Sequence, residues 1–332
     1  MTPRRRVFPL FIPHAGCKHG CVYCAQRSVT GRSAPVTPED VSAALEAISF
    51  GVDELAFYGG SFTALPFDTQ RALLDAAAPH LAAGKIKSVR VSTRPDAIDE
   101  DVLELLESRG VKTIELGAQS MDDGVLAQSR RGHTAADTRR AVSLIRERGG
   151  FGLVLQMMTG LPGSTDALDR ATAEALAALK PDGARIYPTV ILRDTALYEM
   201  WRRGMYREHT VEDAVRVCAE ILPVFEAAGV PVIRLGLNPT EELSNGGAVA
   251  GGAYHPALGE LVKSRIFLER ARALLLASKP GDDVVLGVNK SEISQMTGQR
   301  RRNLAALEAE FGLRSVRAAA ADIPRGGIVI LK

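Results

Sequence analysis

GCKHGCVYCAQ, residues 16–26, carries three of the chain's four cysteines, Cys17, Cys21 and Cys24, at C-x3-C-x2-C spacing, with Tyr23 just ahead of the last. Three soft thiolates on one short loop select zinc, copper(I) or an iron–sulfur cluster. A structural zinc site is normally closed by four ligands, and an ordinary electron-transfer cluster is held by four cysteines. The remaining cysteine, Cys218, lies far downstream in a predicted helix over 211–228, where a buried, inert thiol explains it. Three thiolates on a four-iron cluster leave one iron open to a small molecule. The competing arrangement is a zinc knob completed by His14, His19 or Cys218.

Bulk composition narrows the setting. A chain of 332 residues with 46% hydrophobic content can fill one large α/β core and carry a small appendage. No apolar run approaches the ~20 residues needed to span a bilayer, so no membrane partner is expected. The start, MTPRRRVFPLFIP, reads as a first strand and not as a signal peptide. Four cysteines, three of them on one loop, make no disulfide framework, which points to the reducing cytoplasm. They also leave no thiols for auxiliary clusters. The net charge of +2 implies no particular partner.

Outward from the cysteine loop, short β-rich runs alternate with longer helical patterns, the signature of a parallel α/β architecture. Strands are predicted over 7–12, 54–58, 88–91, 113–116, 153–158 and 184–187, with helices over 38–50, 68–81, 99–108, 135–148 and 166–179 between them. Each strand ends in a polar or glycine-rich motif: the cysteine loop, Gly59-Gly60-Ser61, STRPD at 92–96, GAQS at 117–120, TGLPG at 159–163 and Tyr187-Pro188. In parallel barrels that end of the sheet forms the active-site face. Six strand–helix units predict a partial (β/α)6 barrel, TIM-like, with every motif on one rim. Glu115 alternates with Ile114 and Leu116, and an acid in a buried strand needs a role inside the barrel.

With its aromatic before the last cysteine, the loop resembles that of the radical S-adenosylmethionine (SAM) superfamily. The resemblance implies a [4Fe-4S] cluster on Cys17, Cys21 and Cys24 whose open iron chelates SAM. An electron, from a donor such as flavodoxin or ferredoxin, then splits the sulfonium to give a 5′-deoxyadenosyl radical. It further implies SAM contacts from Tyr23, Gly59, Gly60, Ser61, Ser92, Gln119, Gln156 and Arg131, with Arg131 gripping the methionine carboxylate through its planar fork. Ser61 stands where a glutamate is commonest in the superfamily. Arg94 suits either that carboxylate or a barrel acid, and Tyr187 lies where adenine stacks. The bland alternatives are a tight turn for the glycines and satisfied inner-barrel groups for the polar side chains.

The stretches TIELGAQSMDDGVLAQSRRGHTAADTRRAVSLIRERG (113–149), GLPGS (160–164) and ARIYPTVILRDTALYEMWRRGMY (184–206) are similar to the radical SAM domain of the Elongator catalytic subunit family. That family modifies wobble uridine in transfer RNA, so an RNA substrate is implied. Two departures stand out. The family spaces its first two cysteines much farther apart, and it carries a carboxyl-terminal acetyltransferase domain. Here about 95 residues follow Gly236 without an acetyl-CoA motif, so acetyl-CoA chemistry is not expected. The alternatives are a radical SAM enzyme acting on a small metabolite, as a tetrapyrrole oxidase does, or a non-catalytic metal-containing RNA-binding protein.

Residues 1–276 are read as the barrel with its extension, and 281–332 as a small β-α-β module. Gly246, Gly247, Gly251 and Gly252 suggest a loop over the barrel mouth or a plain linker. His255, with Glu260, is a candidate for substrate contact or proton transfer. The module is predicted as a strand over 283–288, one helix over 291–311 and a closing strand over 326–331. Arg300, Arg301 and Arg302 give it a cationic turn, and nine basic residues face six acidic ones between 279 and 332. Such a turn suits RNA phosphates or simply a solvated helix face.

Overall fold

The computed structural model describes residues 6–17, 20–25, 34–49, 51–238, 243, 247–278 and 281–331. His19, Gln26, Pro239 and Gly246 therefore lie outside the described residues. Strands β1 (Val7–Phe11), β2 (Glu54–Tyr58), β3 (Ser88–Thr93), β4 (Val111–Gln119), β5 (Gly152–Thr159) and β6 (Gly183–Pro188) pair in chain order. Every pairing is parallel. The sheet has one more strand than the six-unit barrel predicted, and it is the strand-like segment that ends at Leu235. After the short β7 (Val190–Leu192), β8 (Val232–Leu235) joins beside β6, giving a seven-stranded curled half barrel.

Alternation along the strands sorts the side chains. Leu55, Phe57, Val89, Val91, Ile114, Leu116, Leu153, Leu155 and Ile186 point outward into one apolar core shared with the helices. Alternate positions face into the barrel and carry charge: Glu54, Arg90, Glu115 and Arg185. The helices start where capping chemistry allows. Thr37, Thr134 and Thr210 form capping boxes with Asp40, Asp137 and Asp213, while Asp99 and Thr165 accept from the backbones of Val102 and Leu168. Each of these helices thus begins at a fixed point, whereas Phe67–Ala82 starts after Pro66 without a side-chain cap.

The carboxyl-terminal part departs from the expectation in three places. Val249–Gly252 is a strand, β9, paired antiparallel with β7, so Gly251 and Gly252 are not loop residues. The single helix predicted over 291–311 is broken into Ile293–Thr297 and Arg302–Phe311 by a turn at Gly298. A strand not anticipated, β11 (Ser315–Ala321), pairs parallel with β10 (Asp283–Asn289), which also pairs antiparallel with β12 (Ile328–Ile330). The 21-residue helix Leu258–Ser278 serves both halves. Its Val262 and Ile266 join the barrel core, and its Phe267, Leu268, Ala271 and Leu275 join a second core with Val284, Leu286, Met296 and Leu307.

Candidate cofactor site at the barrel rim

The cysteine loop is a continuation of β1 that stays bonded to the end of β2. Ile12 N donates to Tyr58 O at 2.7 Å, His14 N to Gly59 O at 3.0 Å and Ser61 N to Ala15 O at 2.8 Å. Gly60 is what lets the two segments close. A Cβ there would stand 2.5 Å from Ile12 O and 2.6 Å from Ala15 O. Farther along, Val22 N donates to Ser129 O at 3.1 Å and Leu197 N to Val22 O at 2.8 Å. The loop is thus stitched to three separate parts of the rim.

Cys17, Cys21 and Cys24 are all half-buried. Burial and the neighbouring Cys21 sulfur push the Cys17 thiol up, while Arg131 and Arg94 act against that. Arg131 reaches across from the 129–133 segment, its Nη1 3.5 Å from Cys21 Sγ and its Nη2 donating to Gly117 O at 2.8 Å. Tyr23 packs between Val22, Ile191 and Leu197 on one side and Val125, Met158 and Leu161 on the other. Its covered hydroxyl has no partner of hydrogen-bonding geometry, and burial keeps the phenol protonated. Cys218 sits in the main core on Val211–Ala227, its thiol pushed up to about 12 by burial.

The other expected residues fall into distinct places. Gln119, in a left-handed conformation (φ 67°), accepts from Gln156 Nε2 at 3.2 Å, so two neighbouring strand ends present a linked amide pair. Ser92 is half-buried and stands beside Glu115 in the β3–β4 register. Ser61 is fully buried in a hydroxyl cluster with Thr93 at 3.0 Å and accepts from Arg94 N at 3.1 Å. Arg94 pairs bidentately with Asp96 at 2.9 Å and leaves Nη1 buried and unpartnered. His255 and Glu260 are not brought together. His255 Nδ1 accepts from Ala257 N at 3.1 Å, whereas Glu260 accepts from Gln295 of the carboxyl-terminal part at 3.1 Å and faces Lys263 at 3.8 Å.

Sequence reasoning missed most of the barrel interior. Arg90 donates to Glu54 at 2.7 Å and pairs with Glu115. Arg185 donates to Glu115 and Tyr58 at 2.9 Å each and to Tyr187 at 3.1 Å. Burial and Glu115 hold the Tyr58 phenol above its ordinary value. Two acids, two arginines and two tyrosines thus form a continuous polar floor below the rim. The signal was available, since the charged residues occupy alternate positions in otherwise apolar strands.

The TGLPG segment after β5 is clamped by Asp169, which accepts from Gly160 N at 2.8 Å and Ser164 Oγ at 2.5 Å. Burial raises this carboxyl to about 6, with those two donors opposing. A folded value above the unfolded ~3.9 means the native state holds the proton longer. Asp169 therefore favours folding below about pH 4, and that contribution is lost as pH rises through about 6. Relative to Asp169→Asn, the wild type should lose on the order of 2–3 kcal/mol of stability across that window. Denaturant titrations of both proteins at several pH values check this, and parallel curves would refute it.

Three half-buried thiolates on one loop are a donor set that suits an iron–sulfur cluster. Unpaired buried polar atoms of Tyr23, Arg94 and Arg131 gather in the same region, and such atoms call for an explanation such as a bound group.

Comparison with known proteins agrees. Residues 11–176 match the radical SAM superfamily and residues 181–267 the radical SAM C-terminal domain. Mouse Elongator complex protein 3 is 30% identical over 202 residues, covering 54% of this chain and 36% of that protein. The tRNA uridine(34) acetyltransferase of Methanocaldococcus jannaschii is 33% identical over 130 residues, 38% of this chain and 24% of that protein. The matched stretch is thus about a third or less of each relative's length. The solved Elp3 of Methanocaldococcus infernus, at 23% identity, superposes with a TM-score of 0.60 over 81% of this chain and 64% of that one. Escherichia coli coproporphyrinogen III oxidase shares the fold with a TM-score of 0.51 at 17% identity, over 68% of this chain and 54% of that one. A family match taking in half of the chain decides the classification: this protein belongs to the radical SAM superfamily of enzymes.

Proposed function

We propose that Cys17, Cys21 and Cys24 hold a [4Fe-4S] cluster, that SAM binds against it along the rim, and that the enzyme modifies RNA, with transfer RNA as the substrate class. One juxtaposition carries the reading: a three-cysteine loop bonded to the carboxyl end of β2, at the mouth of a parallel half barrel. When bound, the cluster supplies the electron that cleaves SAM to methionine and the 5′-deoxyadenosyl radical. Tyr23, Gly59, Gly60, Ser61, Ser92, Gln119, Gln156 and Arg131 form the wall for SAM. In it the Gln119–Gln156 pair offers amide groups to polar atoms of the ligand, while Gly60 and Ser61 fix the wall to the loop. The charged floor of Arg90, Glu115 and Arg185 closes the barrel beneath it. A flavodoxin or ferredoxin is the expected donor. Among the described residues no helix is long and apolar enough to cross a membrane.

The transfer RNA reading is supported by relatives whose names describe action on tRNA uridine 34. Residues 281–332 are read as a module for the RNA. Its turn between the two short helices presents Arg300, Arg301 and Arg302, all exposed, with Arg300 and Arg301 at φ 51° and 62°. Asn303 fixes that turn by donating to Ser264 O at 2.8 Å and Gln295 O at 3.1 Å.

Anaerobic reconstitution followed by SAM and dithionite tests the enzyme; absence of 5′-deoxyadenosine would overturn the cluster reading. Mass spectrometry of transfer RNA from a deletion strain tests the substrate. Retention of a porphyrinogen with no change in the RNA would favour a small-metabolite enzyme. Replacing Arg300, Arg301 and Arg302 with glutamine should weaken transfer RNA binding and flatten its salt dependence by roughly 0.9 for each phosphate no longer neutralised. Substrate-free SAM cleavage should stay nearly unchanged. An unaltered affinity and salt slope would remove the module from the RNA site.

A further inference from the structure

We propose that Arg131 is a positioning residue that sets the reduction potential of the cluster through Cys21, and that Gly117 exists to make room for it. The inference rests on Cys21 being a cluster ligand, as read above.

The backbone aims this side chain. The helix Asp123–Gln128 ends in a Schellman turn: Arg130 is left-handed (φ 51°), its N–H donates to Ala127 O at 3.0 Å, and Arg131 N donates to Leu126 O at 2.9 Å. Ser129, the capping residue, is also the one whose carbonyl receives Val22 N from the cysteine loop. The turn that points Arg131 is therefore the turn that anchors the loop.

The guanidinium is held on two sides. Nη2 donates to Gly117 O at 2.8 Å at the end of β4, leaving Nη1 directed at Cys21 Sγ, 3.5 Å away. A Cβ on Gly117 would stand 2.8 Å from Nη2 and 2.8 Å from the Gln119 side-chain nitrogen. An alanine there would force one or both of these side-chain ends to shift.

Arg90, Arg94 and Arg185 are paired with Glu54 and Glu115, with Asp96, and with Glu115 respectively. Among the described residues no carboxylate pairs with Arg131. Its electrostatic partner is the sulfur. A charged donor on a thiolate favours the more negative, reduced form of a cluster, and hydrogen bonds to cluster sulfurs are among the terms that set its potential. Such outer contacts also orient the ligand they touch.

The test is a redox titration of the reconstituted protein without SAM, followed by electron paramagnetic resonance. Leaving SAM out separates the effect on the thiolate from any contact to the SAM carboxylate. Arg131→Met should hold wild-type iron and show at least a tenfold lower ratio of reduced to oxidised cluster at a fixed potential, equivalent to about 59 mV for one electron. Arg131→Lys should recover part of the loss. Gly117→Ala, which keeps the charge but displaces it, should shift the potential the same way. Full iron with unchanged potential in Arg131→Met overturns the proposal. Should that variant fail to take up iron, Gly117→Ala decides: a lowered potential supports the proposal and an unchanged one overturns it. Wild-type protein that takes up no cluster overturns the ligand reading itself, and this inference with it.

Discussion

Cys17→Ala, Cys21→Ala and Cys24→Ala proteins should each lose the four-iron cluster and with it all SAM cleavage, whereas Cys218→Ala should keep full iron content. Two thiolates hold four irons poorly. Cys218 is locked in the core on Val211–Ala227. The loop itself should survive each change, since its bonds to Tyr58, Gly59, Ser61 and Ser129 run through the backbone. A folded but iron-free variant is thus the expected state. Iron and sulfide analysis after anaerobic reconstitution, with 5′-deoxyadenosine as the activity readout, checks it. Retained cleavage in Cys21→Ala would count directly against the ligand assignment. Lost iron in Cys218→Ala would mean that the three-ligand arrangement is incomplete.

How much of this was legible follows from which interactions are local. The cysteine spacing and the rhythm of strand, motif and helix are short-range patterns, and β1 to β6 appear where those patterns put them. The segment ending at Leu235 reads as strand-like, but its place beside β6 does not, because Val232–Leu235 is only four residues long and pairs across a long interval of sequence. Ser315–Ala321 is alanine-rich, a composition that favours helix, yet parallel pairing with β10 makes it a strand. The break at Gly298 (φ 72°) was signalled by the glycine itself, but a lone glycine inside a helical pattern is often tolerated. At the site, Gly59, Gly60 and Ser61 were legible as a strand-end motif. That Gly60 and Ser61 pack against the cysteine loop and β3 depends on contacts between distant segments. Alternation marked the floor's charged positions, but their pairing was hidden for the same reason: Arg90 finds Glu54 and Arg185 finds Glu115 across intervals no local pattern spans.

That floor carries the second large effect. Glu115→Ala should destabilise the protein by roughly 3–5 kcal/mol, the range for removing one partner of a buried ion pair. Glu115 is 2% exposed, and it serves Arg90, Arg185 and the Tyr58 hydroxyl together. Without it Arg90 keeps Glu54, but no other acid pairs with Arg185 among the described residues. Water compensates poorly, because the Arg185 side chain is only 15% exposed and that of Glu115 2%. Glu115→Gln keeps the shape and an acceptor, so its loss should be smaller. A double variant, Glu115→Gln with Arg185→Gln, removes the stranded charge and should be more stable than the sum of its singles implies. Denaturant unfolding of the four proteins gives this coupling as a double-mutant cycle. A loss below about 1 kcal/mol in Glu115→Ala would show that the barrel interior is wet enough to screen its charges. Either result bears on function, because Arg185 also holds Tyr187 and Tyr58 below the rim where SAM is proposed to bind.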